Sequence, residues 1–174
     1  MKKESRKIIF IFARYTFILL IALLAFPVFY KVFLPLTIYP ASFLLSLFYH
    51  SVVSGSFILT INVQIELISA CIAGSAYYLL LLLNFSLPLA WKKRVYSIAF
   101  SFAMFLIINI LRIFTFSLLY INNFKYFDIT HLIFWYVLSG IIVFLVWLST
   151  IKLFKIKDIP FYADLKLITG KIKR

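Results

Sequence analysis

The chain has 174 residues, of which 65% are hydrophobic and 13% are charged, and its mean hydropathy is +1.09. Soluble globular domains carry about 25% charged residues, so this composition excludes a soluble protein. The 20% share of aromatic residues excludes a disordered chain. The single Cys excludes an internal disulfide and a cysteine-based zinc site. The composition therefore predicts an all-α integral membrane protein, with residues 1–174 forming a single membrane domain.

The net charge of +13 at pH 7 comes from 18 basic and 5 acidic residues, and the basic residues gather at the ends of apolar runs. They form three clusters, within residues 2–14, at Lys92-Lys93-Arg94 and within residues 152–174. Because Lys and Arg accumulate on the cytoplasmic side of membrane proteins, we expect all three clusters in the cytoplasm. The last cluster predicts a basic cytoplasmic tail on the anionic inner leaflet, and we expect no nucleic-acid partner.

Four apolar runs reach the length of about 20 residues that a membrane-spanning helix needs. They cover approximately residues 8–30, 67–90, 95–121 and 129–151. The first run is longer than the apolar region of a typical secretory signal peptide and lacks a small-x-small cleavage site, so we interpret it as a helix. Four transmembrane helices place both termini in the cytoplasm (N-in, C-in), and the predicted localisation is the cell membrane.

The segment between the first two spans, residues 32–66, is predicted to form an outer cap. Residues 32–50 are apolar, but Pro35 and Pro40 interrupt helical hydrogen bonding. The basic clusters on either side are both expected in the cytoplasm, and the two flanking spans already supply an even number of crossings. We therefore expect a short, Pro-interrupted interfacial helix on the extracytoplasmic surface, without a net crossing.

A β-ribbon is predicted within the same cap. Residues 57–67 (FILTINVQIEL) alternate apolar and polar side chains, which is the period of a strand. A hairpin about Ser54-Gly55-Ser56 is one way to pair it, and pairing elsewhere is the alternative. Non-helical backbone is costly in hydrocarbon because its polar groups find no partners there. We therefore expect the ribbon outside the bilayer.

Three reactive side chains lie within the long apolar runs, and they are Cys71, Arg112 and His131. At 1.5 Å of helix per residue, we expect depths of about 8 Å for Cys71, about 16 Å for Arg112 and about 5 Å for His131 below the outer surface. The long Arg side chain can extend toward that surface. The sequence thus predicts that three helices direct a thiol, a guanidinium and an imidazole into one layer near the outer face.

Arg112 is the most informative of the three residues. A permanent charge in the middle of an apolar run is costly and by default marks a site that faces the protein interior. The nearest polar residues on the same helix face, Asn109 and Thr115, are not anions. We therefore expect the partner of Arg112 to be a thiolate, a substrate carboxylate or a developing oxyanion. Taken alone, Cys71 would more often be packing and His131 an interfacial residue.

The order of these groups resembles the exosortase/archaeosortase family. The matching motifs are Ala70-Cys71, the segment Asn109-Ile110-Leu111-Arg112-Ile113, and His131 at the start of the following helix. The alternating stretch Phe57–Leu67 resembles the extracytoplasmic β segment of the family. The match covers about residues 50–145 and is most like the minimal archaeal forms.

The resemblance implies an integral-membrane cysteine transpeptidase or protease that cleaves a C-terminal sorting signal of exported proteins. It implies a nucleophile at Cys71, an acid or base at His131 and an essential catalytic role for Arg112. In the corresponding mechanism, Cys71 attacks a peptide carbonyl to give a thioester, His131 protonates the departing amine, and Arg112 stabilises the thiolate or the oxyanion. Water or an amine-bearing acceptor, such as a membrane lipid, then resolves the thioester. Hydrolysis and transfer both stay open, and the chemistry needs no cofactor and no metal.

Two residues are candidates for binding or orienting the reacting groups beside the nucleophile. Asn109 is expected to face the cavity next to Arg112 and to hydrogen-bond the imidazole or the substrate. Ser75 lies one helical turn after Cys71 and is the first hydroxyl to follow it, whereas the family commonly places a small hydroxyl residue and Gly directly after its Cys. On a continuous helix, Ser75 would share the cavity-facing side with Cys71.

Two further residues concern the general base. Asp128 lies three residues before His131, and we interpret it as a helix cap, with orientation of the imidazole as the alternative. His50 is an alternative base, although its place in the loop region makes it the weaker candidate.

A hypothesis from a different class is a non-enzymatic subunit of a small membrane transport or assembly system. In that case Arg112 binds an anionic ligand and Cys71 is only packing. Reactivity of Cys71 toward a thiol probe from outside, dependent on His131, separates the two hypotheses.

Overall fold

The structure is a computed structural model that describes Thr16 and residues 27–61, 63–87 and 89–156. Most of the predicted first span, residues 8–30, and most of the predicted tail, residues 152–174, lie outside the described residues. Within them, four helical segments are long and apolar enough to cross a membrane, which is compatible with a multi-pass membrane protein. These segments are Pro27–Ser46, Ser69–Ser86, Trp91–Ile121 and Phe127–Leu153.

The first of these segments, α1 (Pro27–Ser46), runs through both prolines as a helix. The predicted short helix, interrupted at Pro35 and Pro40, is therefore wrong: the helix is continuous over 20 residues and is long and apolar enough to cross a membrane. A proline lacks the N–H of one helical hydrogen bond, and packing of the helix against its neighbours can outweigh that loss. The packing is visible as a row of buried side chains that crosses the proline region, namely Phe33, Thr37, Ile38, Ala41 and Leu45.

The predicted β-ribbon is confirmed as a small antiparallel sheet of three strands in the order β1-β2-β3. The strands are β1 (Ser51–Ser54), β2 (Phe57–Thr60) and β3 (Gln64–Glu66). The turn between β1 and β2 contains Gly55 with φ +62°, a conformation that favours glycine. Ile58 of β2 is fully buried in the same hydrophobic core as Leu45 of α1, so this core joins the sheet to the helices.

The remaining helices follow in chain order. They are α2 (Ser69–Ile72), α3 (Gly74–Ser86), α4 (Trp91–Ile121), α5 (Phe127–Ile133), a π-helical segment (Phe134–Leu138) and α6 (Ser139–Leu153). The predicted runs 67–90, 95–121 and 129–151 coincide with these helices to within a few residues. The helix predicted over 67–90 differs in one respect, because it is divided in two at Ala73.

Two buried clusters hold the helices together. In the first, the ring of Tyr77 on α3 stacks on Phe33 at a centroid distance of 3.6 Å and meets Phe102 and Phe105 of α4 edge-on at 5.4 and 4.9 Å. The second is polar and joins α3, α4 and α6 through Asn84, Ser97, Ser101 and Thr150. Small hydroxyl residues let helices approach closely, and their hydrogen bonds connect helices inside an apolar bundle.

Candidate active site

The local fold around Cys71 differs from an ordinary helix. The single turn of α2 follows β3 closely, and its first carbonyl, that of Ile68, accepts a hydrogen bond from the Cys71 N–H at 2.9 Å. Ala73 then takes a left-handed conformation (φ 55°, ψ 44°), and α3 starts afresh at Gly74. A left-handed conformation is uncommon for a residue other than glycine, and such backbone strain concentrates at functional sites. Cys71 therefore lies next to a strained corner.

The backbone of Cys71 is held by two side chains from α4. The Asn109 Nδ2 and a terminal guanidinium nitrogen of Arg112 each donate a hydrogen bond to the Cys71 carbonyl oxygen, both at 3.1 Å. Residues three apart share one face of a helix, which explains how both side chains reach one acceptor. Since Ala73 interrupts the helix, these bonds supply partners for a carbonyl at the end of α2. Asn109 is buried, and its Oδ1 has no hydrogen-bond partner among the described residues.

The imidazole of His131 is positioned by aromatic rings. It stacks on Phe127 of α5 at a centroid distance of 5.6 Å, and it meets Phe116 of α4 edge-on at 5.2 Å. Trp135, one turn further along, lies at 6.4 Å. No hydrogen bond to the imidazole is found within the described part of the chain. Ring packing therefore orients it, and no carboxylate of the described residues is hydrogen-bonded to it.

Cys71, Arg112 and His131 line the same cavities, although they come from three different helical elements. A small cavity of about 30 Å³ is bounded by these residues together with Phe134 and Trp135. A larger cavity of about 360 Å³ is lined by the same three residues and extends along β3 and α4. The sequence predicted this convergence of a thiol, a guanidinium and an imidazole, and their catalytic roles stay a prediction.

The structure does not bring two of the predicted residues to these cavities. Ser75 is exposed on α3, and Asp128 is exposed in the first turn of α5, and neither is among the lining residues. The break at Ala73 explains the first difference, because the expected position of Ser75 assumed one continuous helix. His50, the alternative base, is also exposed and is not among the lining residues of these two cavities.

Asn109 has a different contact from the one expected. It was predicted to bind the imidazole or the substrate, and it instead donates to the carbonyl of Cys71. The expected anionic partner of Arg112 is also replaced by this neutral carbonyl. Among the described residues no ion pair to Arg112 is found, and Glu66 is the carboxylate that lines the larger cavity with it.

Several lining residues were missed by the sequence analysis. Phe116, Ser117 and Tyr120 of α4 line the larger cavity. Phe116 and Tyr120 follow Arg112 by four and eight positions, so they lie on its side of the helix. Their helical spacing from Arg112 was the available signal. Within the described ranges, no group of three or more His, Cys, Asp or Glu side chains is placed to hold a metal ion.

No protein-family model, curated protein or solved structure matches this chain. The function is therefore inferred from the residues of the site and their geometry.

Proposed function

We propose that the protein is a membrane-embedded cysteine transpeptidase or protease of the exosortase/archaeosortase kind. Its substrate would be an exported protein, cleaved at a C-terminal sorting signal near the outer membrane face. The observation that carries this proposal is the cavity that Cys71, Arg112 and His131 line together. A partly buried arginine in an apolar helix is costly, and its place beside the one Cys of the chain suits a thiol-based site.

The proposed reaction has two steps. In the first, the Cys71 Sγ attacks the carbonyl carbon of the scissile peptide, and His131 accepts the thiol proton and delivers it to the departing amine. The peptide C–N bond breaks and a thioester forms. In the second step, water or an amine attacks the thioester and releases Cys71 as a thiol. Water gives hydrolysis, and an amine such as a lipid head group gives transfer.

Arg112 is proposed to stabilise the negative charge that develops in both steps. A guanidinium carries five N–H donors, and the observed hydrogen bond to the Cys71 carbonyl involves one terminal nitrogen. The remaining donors are available to an oxyanion in the cavity. A single oxyanion donor contributes a factor of roughly 100 to 1,000 to turnover in soluble enzymes.

The test compares exported proteins from cells that contain the wild-type chain, Cys71→Ala or His131→Gln, by mass spectrometry of intact proteins. The matched control is His50→Gln, because His50 is exposed and lies away from the cavities. We expect the first two variants to leave a C-terminal apolar segment uncleaved and the control to process it normally. A new C-terminus with a free carboxylate indicates hydrolysis, and added mass identifies transfer and its acceptor.

The variants must be shown to be inserted and abundant. Under that condition, normal processing by Cys71→Ala would contradict the proposal directly. The side of the membrane is tested separately with a membrane-impermeant thiol reagent, which we expect to modify Cys71 from outside intact cells.

A further inference from the structure

The larger cavity runs along one edge of the small sheet. β3 is an edge strand, because the order is β1-β2-β3, and five consecutive residues, 64–68, line the cavity. Successive side chains of a strand point to opposite faces, so a cavity lined by consecutive residues is bounded by the strand edge. An occupant of this cavity would therefore contact the backbone of β3 at the strand edge, and not one face of the strand.

The register of the sheet shows which backbone groups face the cavity. Leu67 N donates to Ser56 O at 2.8 Å, and Thr60 N donates to Val63 O at 2.9 Å. Hydrogen-bonded pairs alternate along an antiparallel ladder. Leu67, Ile65 and Val63 therefore point their backbone groups toward β2.

The intervening residues, Gln64 and Glu66, consequently point their N–H and C=O groups away from β2, toward the free edge. In the described part of the chain these groups have no hydrogen-bond partner. Both residues are exposed and line the larger cavity. The edge thus offers two donors and two acceptors at the spacing of an extended chain.

The helical part of the cavity lining has a length that matches an extended chain. It is formed by α4 from Arg112 to Tyr120 together with Phe127 and His131 of α5. Eight residues of helix correspond to about 12 Å, which is the length of about four residues of extended chain at 3.3 Å each. Aromatic side chains on this wall suit apolar side chains of an occupant. Cys71 lines the same cavity, and it follows the end of β3 by only a few residues in the chain.

We propose that the substrate binds as a fourth strand, in extended form, along the free edge of β3. Backbone hydrogen bonds to Gln64 and Glu66 would hold the peptide largely independently of its side chains, as in other cases of strand addition. The helical wall then contacts alternate side chains, and the strand delivers one peptide carbonyl to Cys71. This inference rests on the proposed function, because it concerns the substrate of the same site.

The test uses two electrophilic probes that alkylate Cys71 with loss of chloride. They are the chloromethyl ketones of N-acetyl-alanine and of N-acetyl-tetra-alanine, which differ only in the length of the extended arm. The rates of alkylation are measured by mass spectrometry on the full chain in detergent. Each backbone hydrogen bond is expected to speed labelling by roughly 2- to 12-fold, so the longer probe should react faster with the wild type.

Glu66→Pro is the decisive variant. It removes an N–H that faces the cavity, and proline is tolerated in edge strands where the missing N–H would point away from the sheet. The matched control, Glu66→Ala, removes the side chain and keeps the N–H. We expect the rate ratio of the two probes to fall toward one in Glu66→Pro and to stay at the wild-type value in Glu66→Ala.

A second measurement needs no protein variant. Tetra-alanine probes are N-methylated at one amide at a time and applied to the wild type. Alternate residues of a paired strand point their N–H toward β3. N-methylation should therefore reduce labelling at alternate amides and leave it nearly unchanged at those between them.

The outcomes separate this inference from the function itself. Equal rates for both probes, or a length advantage that survives Glu66→Pro and every N-methylation, would overturn strand addition while leaving the cysteine chemistry in place. If neither probe labels native Cys71, both proposals are refuted. If the wild type is a dimer in detergent and Glu66→Pro is a monomer, a second copy of the chain covers this edge, and strand addition by a substrate is also overturned.

Discussion

Replacement of Arg112 by methionine distinguishes a catalytic arginine from a structural one. Methionine has a similar length and no charge, so Arg112→Met removes the hydrogen bond to the Cys71 carbonyl while largely preserving volume. The carbonyl keeps its second donor, Asn109 Nδ2 at 3.1 Å. The Cys71 carbonyl therefore keeps a hydrogen-bond partner in the variant.

The magnitudes predict a small effect on stability. A hydrogen bond to a charged group contributes about 1.5–3 kcal/mol, and an arginine at the centre of a membrane-spanning helix costs about 2.5–3.5 kcal/mol. The two terms nearly cancel, so we expect the free energy of unfolding to change by no more than about 2 kcal/mol. Processing of the substrate should nevertheless fall by roughly 100- to 1,000-fold, because the donor to the oxyanion is lost.

Two assays on the same variants check this prediction. Unfolding in mixed micelles gives the stability, and mass spectrometry of the exported protein gives the processing rate. The control is Arg94→Met, because a terminal guanidinium nitrogen of Arg94 likewise donates to a backbone carbonyl, that of Leu87 at 3.0 Å, away from the cavities. The reasoning is refuted if Arg112→Met loses more than about 3 kcal/mol, or if it is stable and still processes at the wild-type rate.

Three further predictions test the backbone, the core and the topology. Ala73→Gly should raise the unfolding free energy by about 0.5–1 kcal/mol, because the left-handed conformation of Ala73 strains any residue with a Cβ; an equal or lower denaturation midpoint would contradict this. Tyr77→Phe should raise stability by about 1 kcal/mol, since the buried hydroxyl has no hydrogen-bond partner in the described part of the chain; a lower thermal midpoint would reveal a partner for it. On a Cys71→Ala background, an impermeant maleimide should label Lys125→Cys in intact cells and Lys92→Cys only after permeabilisation, and the reverse pattern would invert the predicted topology.

The helices and the sheet could be predicted from the sequence because their signals are local. Apolar runs of sufficient length mark the helices. The alternation of apolar and polar side chains, together with Gly55 at the turn, marks the ribbon. The continuity of α1 could not be predicted, because the effect of Pro35 and Pro40 depends on how well the helix packs. That packing involves Ile58 of a strand outside the helix, which no local pattern shows.

The candidate site was predictable to the extent that charge in an apolar run is informative. Arg112 stands out for that reason, and Cys71 and His131 follow from their expected depth on helices of predicted direction. Ser75 was misplaced because the sequence gives no sign that Ala73, a residue that favours regular helix, adopts a left-handed conformation. Beyond such a break the helical spacing no longer predicts which residues share a face.

The carbonyl oxygen of Cys71 accepts two hydrogen bonds, one from Asn109 and one from Arg112. This arrangement bears on why the helix carries an arginine at this position. A carbonyl at the end of a helix needs one good donor, and the buried amide of Asn109 supplies it. The second donor, Arg112, also hydrogen-bonds that oxygen, and this bond at most offsets the cost of a few kcal/mol of placing a permanent charge in an apolar segment. Arg112 also lines the cavity together with Cys71 and His131. The proposed negative charge that develops in the cavity would give Arg112 a role that its contact with the backbone alone does not.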